Sequence, residues 1–229
     1  MVGQDSGAAV RHYDRGVIRR ALAVLPVLLA GLALAGAAHG HAGAATLSPA
    51  ADQRLAGPPP MIRIVFSERV SGGPTALRLV DAAGRSRAGA ARITGRELTA
   101  QVTGTLGPGR YAYAYAVTGT DGHVIRRAVP FAVKVATPAA AATTVTLAGQ
   151  RLRLSGARVG VRTLALWGGL EDGTAEWRHP LLDAPFAWTF VAGRASGMLP
   201  FPGTYRLTVR ALVDGFSERT VSGTVTIAG

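Results

Sequence analysis

Short stretches in which apolar and polar residues alternate recur along the chain from residue 61 onwards, and they limit what it can fold into. The clearest is RYAYAYAVTG at residues 110–119. A period of two places successive side chains on opposite faces of a β-strand, and no stretch after residue 40 has a convincing helical period. Clusters of Gly, Pro, Asp and Ser separate the stretches. The pattern predicts an all-β protein made of antiparallel β-sandwiches.

The predicted strands fall into two groups. They are 61–68, 75–80, 90–95, 97–104, 110–119 and 128–135 in the first group, and 144–149, 162–168, 186–191, 204–213 and 219–228 in the second. An Ala/Pro/Thr-rich stretch between the groups has the composition of a linker. We therefore expect a β-sandwich domain at 41–136, a linker at 137–143, and a second β-sandwich domain at 144–229 whose role the sequence leaves open.

The two predicted domains contain the same motif. PGRYAYAYAVTGTDGH begins at Pro108, and PGTYRLTVRALVDGF begins at Pro202. Each runs from Pro-Gly to a tyrosine, then along an alternating strand to Asp-Gly. In a sandwich this is the turn into a penultimate strand followed by a hairpin turn, so we expect both domains to share the architecture. The motifs end differently, in His123 and in Phe216.

Residues 1–40 resemble an export signal. An arginine-containing segment precedes an apolar run at 21–35, and AHG at 38–40 has the small residues that a signal peptidase requires. The apolar run is shorter than the ~20 residues of a membrane span, and we predict no transmembrane segment in the mature chain; an uncleaved amino-terminal anchor is the alternative. Cleavage after Gly40 would place the protein outside the cytoplasm, in the periplasm or an equivalent compartment, by the general secretory or twin-arginine route. His41 would then be the first residue.

The composition limits the classes of partner that the chain can bind and the kinds of metal site or nucleophile that it can contain. The net charge is +12, but the arginines are scattered along predicted strands without aromatic interleaving, so we predict no nucleic-acid partner. The chain has no cysteine, which excludes disulfides, thiolate metal sites and a cysteine nucleophile. Any metal ion must be held by histidine, carboxylate, methionine or backbone groups.

Three residues form a candidate metal site. A free amino-terminal His41 would offer two nitrogens, its ring and its amine, whose reference pKa is ~7.7–8.0. Asp121 and His123 are two positions apart, and in an extended chain their side chains point to the same face. Three nitrogens and one oxygen suit Cu(II), with Zn(II) as the competitor. On spacing alone, Asp-Gly-His is more typical of an ordinary hairpin turn than of a metal site.

The order and spacing of these residues resemble the CopC copper-resistance family over about residues 41–135. The resemblance lies in His41 with Pro49 eight residues later, in Phe66-Ser67-Glu68, and in the run from Pro108 to His123, which matches without a gap.

The resemblance implies an immunoglobulin-like, cupredoxin-related β-sandwich that holds one Cu(II) ion through His41, Asp121 and His123. Glu68 matches a family acidic residue near the site, which implies a role in orienting the ligands. The implied function is copper resistance or homeostasis without catalysis, with the copper ion as partner and a membrane transporter of the CopD type as a candidate recipient. Met61 and Met198 are far apart in the sequence, so we expect no thioether site for Cu(I).

Two other functions remain open at this point. An amino-terminal histidine with a second histidine on a β-sandwich also occurs in copper monooxygenases, although the Asp-Gly-His spacing resembles CopC instead. A metal-free tandem β-sandwich could also serve as a surface or adhesion module. His179, which precedes Pro180, is interpreted as a loop or partly buried histidine.

Overall fold

The computed structural model describes residues 42–135, 142–147, 150–155, 162–167, 170–213 and 217–229. All regular secondary structure in these residues is β-strand, which confirms the predicted all-β class. None of them forms a helix that could cross a membrane. The described residues lie within one compact unit. Most of the predicted linker, 137–143, lies outside the described residues, so the domain boundaries stay a prediction.

The first half of the described chain contributes nine strands. These are β1 (Ala44–Ser48), β2 (Gln53–Leu55), β3 (Met61–Phe66), β4 (Val70–Ser71), β5 (Leu77–Asp81), β6 (Arg92–Thr94), β7 (Glu97–Gln101), β8 (Gly109–Gly119) and β9 (Val124–Val133). One sheet has the order β1-β3-β7-β6, while β4 and β5 pair with β8, β8 pairs with β9, and β9 pairs with β2. Side chains from both groups share one hydrophobic core, so this half is a β-sandwich.

The second half contributes the remaining strands. These are β10 (Ala142–Leu147), β11 (Gln150–Ser155), β12 (Arg162–Trp167), β13 (Leu170–Arg178), β14 (Phe186–Val191), β15 (Arg194–Met198), β16 (Gly203–Val213) and β17 (Ser217–Ile227). They form a continuous path in the order β10-β11-β12-β15-β14-β13-β16-β17. A second hydrophobic core contains Trp177 and Trp188, whose ring centroids lie 4.9 Å apart.

Strand β8 contacts a hydrophobic core on each of its faces, which explains its alternation of tyrosine and alanine. Tyr111, Tyr113 and Tyr115 point into the core of the first half. On the opposite face, Ala112 belongs to the core of the second half and Ala114 packs against it. Alanine methyl groups let the covering elements approach this face closely, so the sequence pattern serves two cores at once.

The two halves are joined by backbone pairing as well as by packing. β9 pairs in parallel with β14 through Ala128 and Phe186, and the Ala128 N–H donates to the Pro185 carbonyl at 2.8 Å. The Asp52 carboxylate accepts a hydrogen bond of 2.8 Å from the backbone N–H of Met198. These contacts make the outer face of the first sandwich a wall of the second core.

Candidate metal centre

The hairpin between β8 and β9 holds two of the predicted copper ligands. The Gly119 N–H donates to the His123 carbonyl at 3.0 Å, and the Gly122 N–H donates to the Gly119 carbonyl at 3.1 Å. Gly122 has a φ of 79°, which a residue with a side chain rarely adopts. The hairpin therefore brings Asp121 and His123 together in a turn, and not on one face of an extended strand as the spacing suggested.

The Asp121 carboxylate contacts both the backbone and the ring of His123. Its Oδ1 accepts a hydrogen bond from the His123 N–H at 3.0 Å. Its Oδ2 lies 3.0 Å from His123 Nδ1. The His123 side chain is 66 % exposed and that of Asp121 is 27 % exposed. An oxygen donor and an imidazole thus lie side by side at a tip that ions can reach from solvent.

Glu68 lies beside this turn, and only one of its two carboxylate oxygens accepts a hydrogen bond from the described residues. The Thr120 hydroxyl donates to Glu68 Oε2 at 2.6 Å. Glu68 Oε1 is buried and has no hydrogen-bond partner among the described residues. A buried carboxylate oxygen without a donor costs about 1–3 kcal/mol or more. Its position therefore fits a cation or a donor supplied by something other than the described residues.

Gly119 leaves the space in which these groups converge. A Cβ atom added to Gly119 would lie 2.8 Å from Glu68 Oε1, 2.9 Å from Asp121 Oδ1 and 3.3 Å from the Ala42 Cβ. Any side chain at this position would have to displace them. The glycine thus keeps two carboxylates and the start of the described chain around one small volume.

The segment that starts at Ala42 is fixed against the Phe-Ser-Glu motif. Ala42 is 2 % exposed. The Gly43 N–H donates to the Ser67 hydroxyl at 2.9 Å, and the Ser67 N–H donates to the Gly43 carbonyl at 2.8 Å. His41, the residue before Ala42, lies outside the described residues. Its neighbour is thereby held next to Glu68 and Gly119.

The described residues alone do not complete a metal site. Within them, no three His, Cys, Asp or Glu side chains are grouped so that they could hold a metal ion. Asp121 and His123 supply one oxygen and one nitrogen, and the Glu68 oxygen adds negative charge nearby. This donor set fits a divalent cation that takes its remaining ligands from another residue.

His179 is not part of this centre. It is 7 % exposed, in agreement with its interpretation as a partly buried histidine. Its Nδ1 accepts a hydrogen bond from the Leu181 N–H at 3.2 Å, and its Nε2 lies 3.1 Å from the Pro202 carbonyl oxygen. Both ring nitrogens are thus used within the second half, where the ring packs against Tyr205.

Sequence reasoning gave no role to Thr120 or Gly119. Both lie next to the Asp-Gly-His turn, and that position is the one signal that could have pointed to them. The hydrogen bond from Thr120 to Glu68 links residues 52 positions apart, and such a pair cannot be found from local spacing.

Comparison with known proteins finds a family match in the first half. The family model of the CopC domain matches residues 45–134. The solved structure of CopC from Methylosinus trichosporium OB3b is 26 % identical over 41 % of this chain and 93 % of its own, with a TM-score of 0.37. The fibronectin(III)-like modules of Clostridium thermocellum CbhA are 16 % identical over 80 % of this chain and 93 % of theirs, with a TM-score of 0.26. No curated protein matches the chain. The family resemblance inferred from the sequence is confirmed over the matched residues.

Proposed function

We propose that this chain, whose residues 45–134 match the CopC domain of copper-binding proteins, is exported and holds one Cu(II) ion at its mature amino terminus. The proposed ligands are the amine and ring of His41, the Asp121 carboxylate and the His123 ring. The supporting observation is the convergence of Glu68 Oε1, Asp121 Oδ1 and Ala42 around Gly119. It supports the proposal because Ala42, the residue next to His41, lies close to the carboxylates of Glu68 and Asp121.

The chemistry of the proposed ligand set suits Cu(II). An amine with a pKa near ~7.7–8.0 gives up its proton to a metal at neutral pH, and divalent affinities peak at copper. Two carboxylates near the ion would offset its charge. Glu68 is held at Oε2 by Thr120, so its other oxygen has a fixed position from which it can accept a hydrogen bond from a ligand. The proposed role is binding and transfer, and it requires no catalytic turnover.

Export and hand-over complete the proposal. Cleavage after Gly40 would create the free amine of His41, so the metal site would form only in the processed protein. The copper would then be sequestered outside the cytoplasm or passed to a membrane transporter of the CopD type. The exposure of His123 supports transfer, because a ligand at a hairpin tip can be reached by an acceptor protein.

The test compares the chain that begins at His41 with the same chain carrying one extra glycine before His41. The glycine keeps the ring and removes the terminal amine from its proposed place. We expect Cu(II) affinity, measured by competition with a chelator, to fall by more than the ~10–100-fold typical of changes outside the ligand set. Asp121→Asn and His123→Gln should weaken binding as well and change the electron paramagnetic resonance spectrum. Asp172→Asn, an exposed carboxylate in the second half, is the matched control and should change neither.

Two outcomes would overturn the proposal. One is an unchanged affinity and spectrum in the glycine-extended chain and in both ligand variants. The other is amino-terminal sequencing of the exported protein that finds a first residue other than His41.

A further inference from the structure

A cleft lies where the second half stops covering the outer face of the paired strands β5, β8 and β9. Val80, Ala112 and Ala128 on this face are buried in the second core. Two residues before Val80 on β5, and two residues before Ala128 on β9, the second half no longer covers this face. A cavity of about 240 Å³ lies there. Its floor is formed by Ala114 and Ala116 of β8, and its far wall by the loop at 182–184.

Two arginines flank this floor from opposite sides. Arg78 on β5 is paired in register with Ala114, and Arg126 on β9 is paired with Ala116. Both line the cavity. Their strands lie on either side of β8, so the two backbones are about 10 Å apart across the floor. Guanidinium groups on side chains of this length can converge over the alanines from both edges.

The two guanidinium groups have no carboxylate partner in the described part of the chain, in contrast to Arg63, Arg85 and Arg87 of the same half. Arg63 binds Glu97 at 2.8 Å, and Asp81 binds both Arg85 and Arg87 at 2.8 Å. No hydrogen bond or ion pair of the described residues involves the side chain of Arg78 or Arg126. Because guanidinium groups bind carboxylates in a planar two-bond geometry, this pair can accept such groups from a ligand.

The remaining lining defines the ligand further. The alanine methyl groups and Leu182 provide an apolar surface, which suits a short hydrocarbon body. Asp183 also lines the cleft, so its charged groups sum to one net positive charge. We propose that the cleft binds a small aliphatic dicarboxylate, with one carboxylate on each arginine and the carbon chain over Ala114 and Ala116. This site is separate from the proposed copper ligands and does not depend on them.

The experiment titrates succinate into the copper-free chain that begins at His41, with binding measured by calorimetry and by amide chemical shifts. We expect saturable one-to-one binding, and no saturable binding of succinamide, which has the same shape without charge. Arg78→Gln and Arg126→Gln should each weaken succinate binding by about tenfold, because each removes one charge-assisted contact. Arg126→Lys should recover only part of the loss, since a lysine keeps the charge without the planar fork.

Two further variants make the test specific. Asp183→Asn should tighten succinate binding severalfold, because it removes the negative charge from the cleft. Arg194→Gln, an exposed arginine on β15, is the matched control and should leave binding unchanged. Cu(II) affinity should be the same in all these variants, so failure of the dicarboxylate site and failure of the copper site are distinguishable. The proposal is overturned if succinate binding does not saturate, or if Arg194→Gln weakens it as much as the two cleft variants.

Discussion

The two halves of the molecule contain the same tyrosine hydrogen bond at the start of a long strand, and they differ at the hairpin that follows this strand. The Tyr111 hydroxyl donates to the Gly107 carbonyl at 2.9 Å, and the Tyr205 hydroxyl donates to the Phe201 carbonyl at 2.9 Å. Each is a tyrosine corner, in which the ring fixes the chain four residues upstream as the penultimate strand begins. The repeated Pro-Gly-x-Tyr motif therefore marks a scaffold element that both halves share.

The difference lies at the far end of the strand. The first motif reaches Asp-Gly through Gly119 and Thr120, whereas the second has the single residue Val213 before Asp-Gly. Gly119 makes room for Glu68 and Asp121, and Thr120 holds Glu68. The second motif has neither residue and ends in Phe216, which lies outside the described residues. The repeat therefore specifies the shared architecture, while the hairpin of the first half differs by one additional residue and by the residues that surround the proposed metal site.

The largest effect is expected when Gly119 of the first hairpin is replaced by valine, the residue that precedes Asp-Gly in the second motif. In Gly119→Val the new side chain would overlap Glu68 Oε1 and Asp121 Oδ1. We expect Cu(II) affinity to fall by about 10–100-fold, because the groups around the ligands are displaced. Chelator competition measures the effect, and thermal denaturation checks that the sandwich is retained.

The matched control is Gly57→Val, where an added Cβ would meet no atom within 4 Å. An equal loss of copper affinity in both glycine variants would show that the space at Gly119 has no special role.

The tyrosine corners give the second test, because they are not equally buried. Tyr205 is 0 % exposed, and its hydroxyl also accepts the Phe201 N–H at 3.2 Å. Tyr205→Phe leaves two buried backbone groups unpaired, and we expect a loss of about 2–3 kcal/mol in the free energy of unfolding. Tyr111→Phe removes one partly buried bond and should cost about 1 kcal/mol. Urea denaturation measures both.

Tyr115→Phe serves as the control for ring substitution, since among the described residues no hydrogen bond involves the Tyr115 hydroxyl. Equal losses in Tyr111→Phe and Tyr205→Phe would contradict the view that burial distinguishes the two corners.

Acid gives the third test, since among the described residues each half contains one buried side chain that is a carboxylate or an imidazole, Asp81 in the first and His179 in the second. Burial opposes ionisation of Asp81, yet hydrogen bonds from Arg87 and Arg85 hold its pKa at about 2, below the usual 3.8. This stabilises the folded state by about 2 kcal/mol above pH 4, and the stabilisation is lost as the pH falls towards 2.

His179 behaves differently because burial lowers its pKa, against the opposing effect of the Pro202 carbonyl. The folded state therefore favours the neutral ring, and stability is lost as the pH falls below the ordinary value of 6.5. We expect melting temperature to fall in two steps, the first absent in His179→Gln and the second absent in Asp81→Asn. A first step that survives His179→Gln would contradict this assignment.

Strands with a clear alternation of apolar and polar residues could be found from the sequence. Strands that are held extended mainly by pairing with adjacent strands could not. The stretches 110–119 and 186–191 were predicted and correspond to β8 and β14. β13 contains Glu-Asp-Gly, which is typical of a turn, and β15 contains RASGM, in which Met198 is the only large apolar residue. Both pair with strands on each side. Backbone hydrogen bonds to neighbouring strands can hold such residues extended against their local preference.

The sequence by itself determined the β-strand architecture, the repeated tyrosine corner and the proximity of Asp121 to His123, because each depends on residues a few positions apart. Only the tertiary structure decided that Glu68, Thr120 and Ala42 meet at Gly119, and that Ala112 and Ala114 on one face of β8 pack against the second half. Those contacts join residues far apart in the chain, and they depend on strand pairing and core packing that no local pattern encodes.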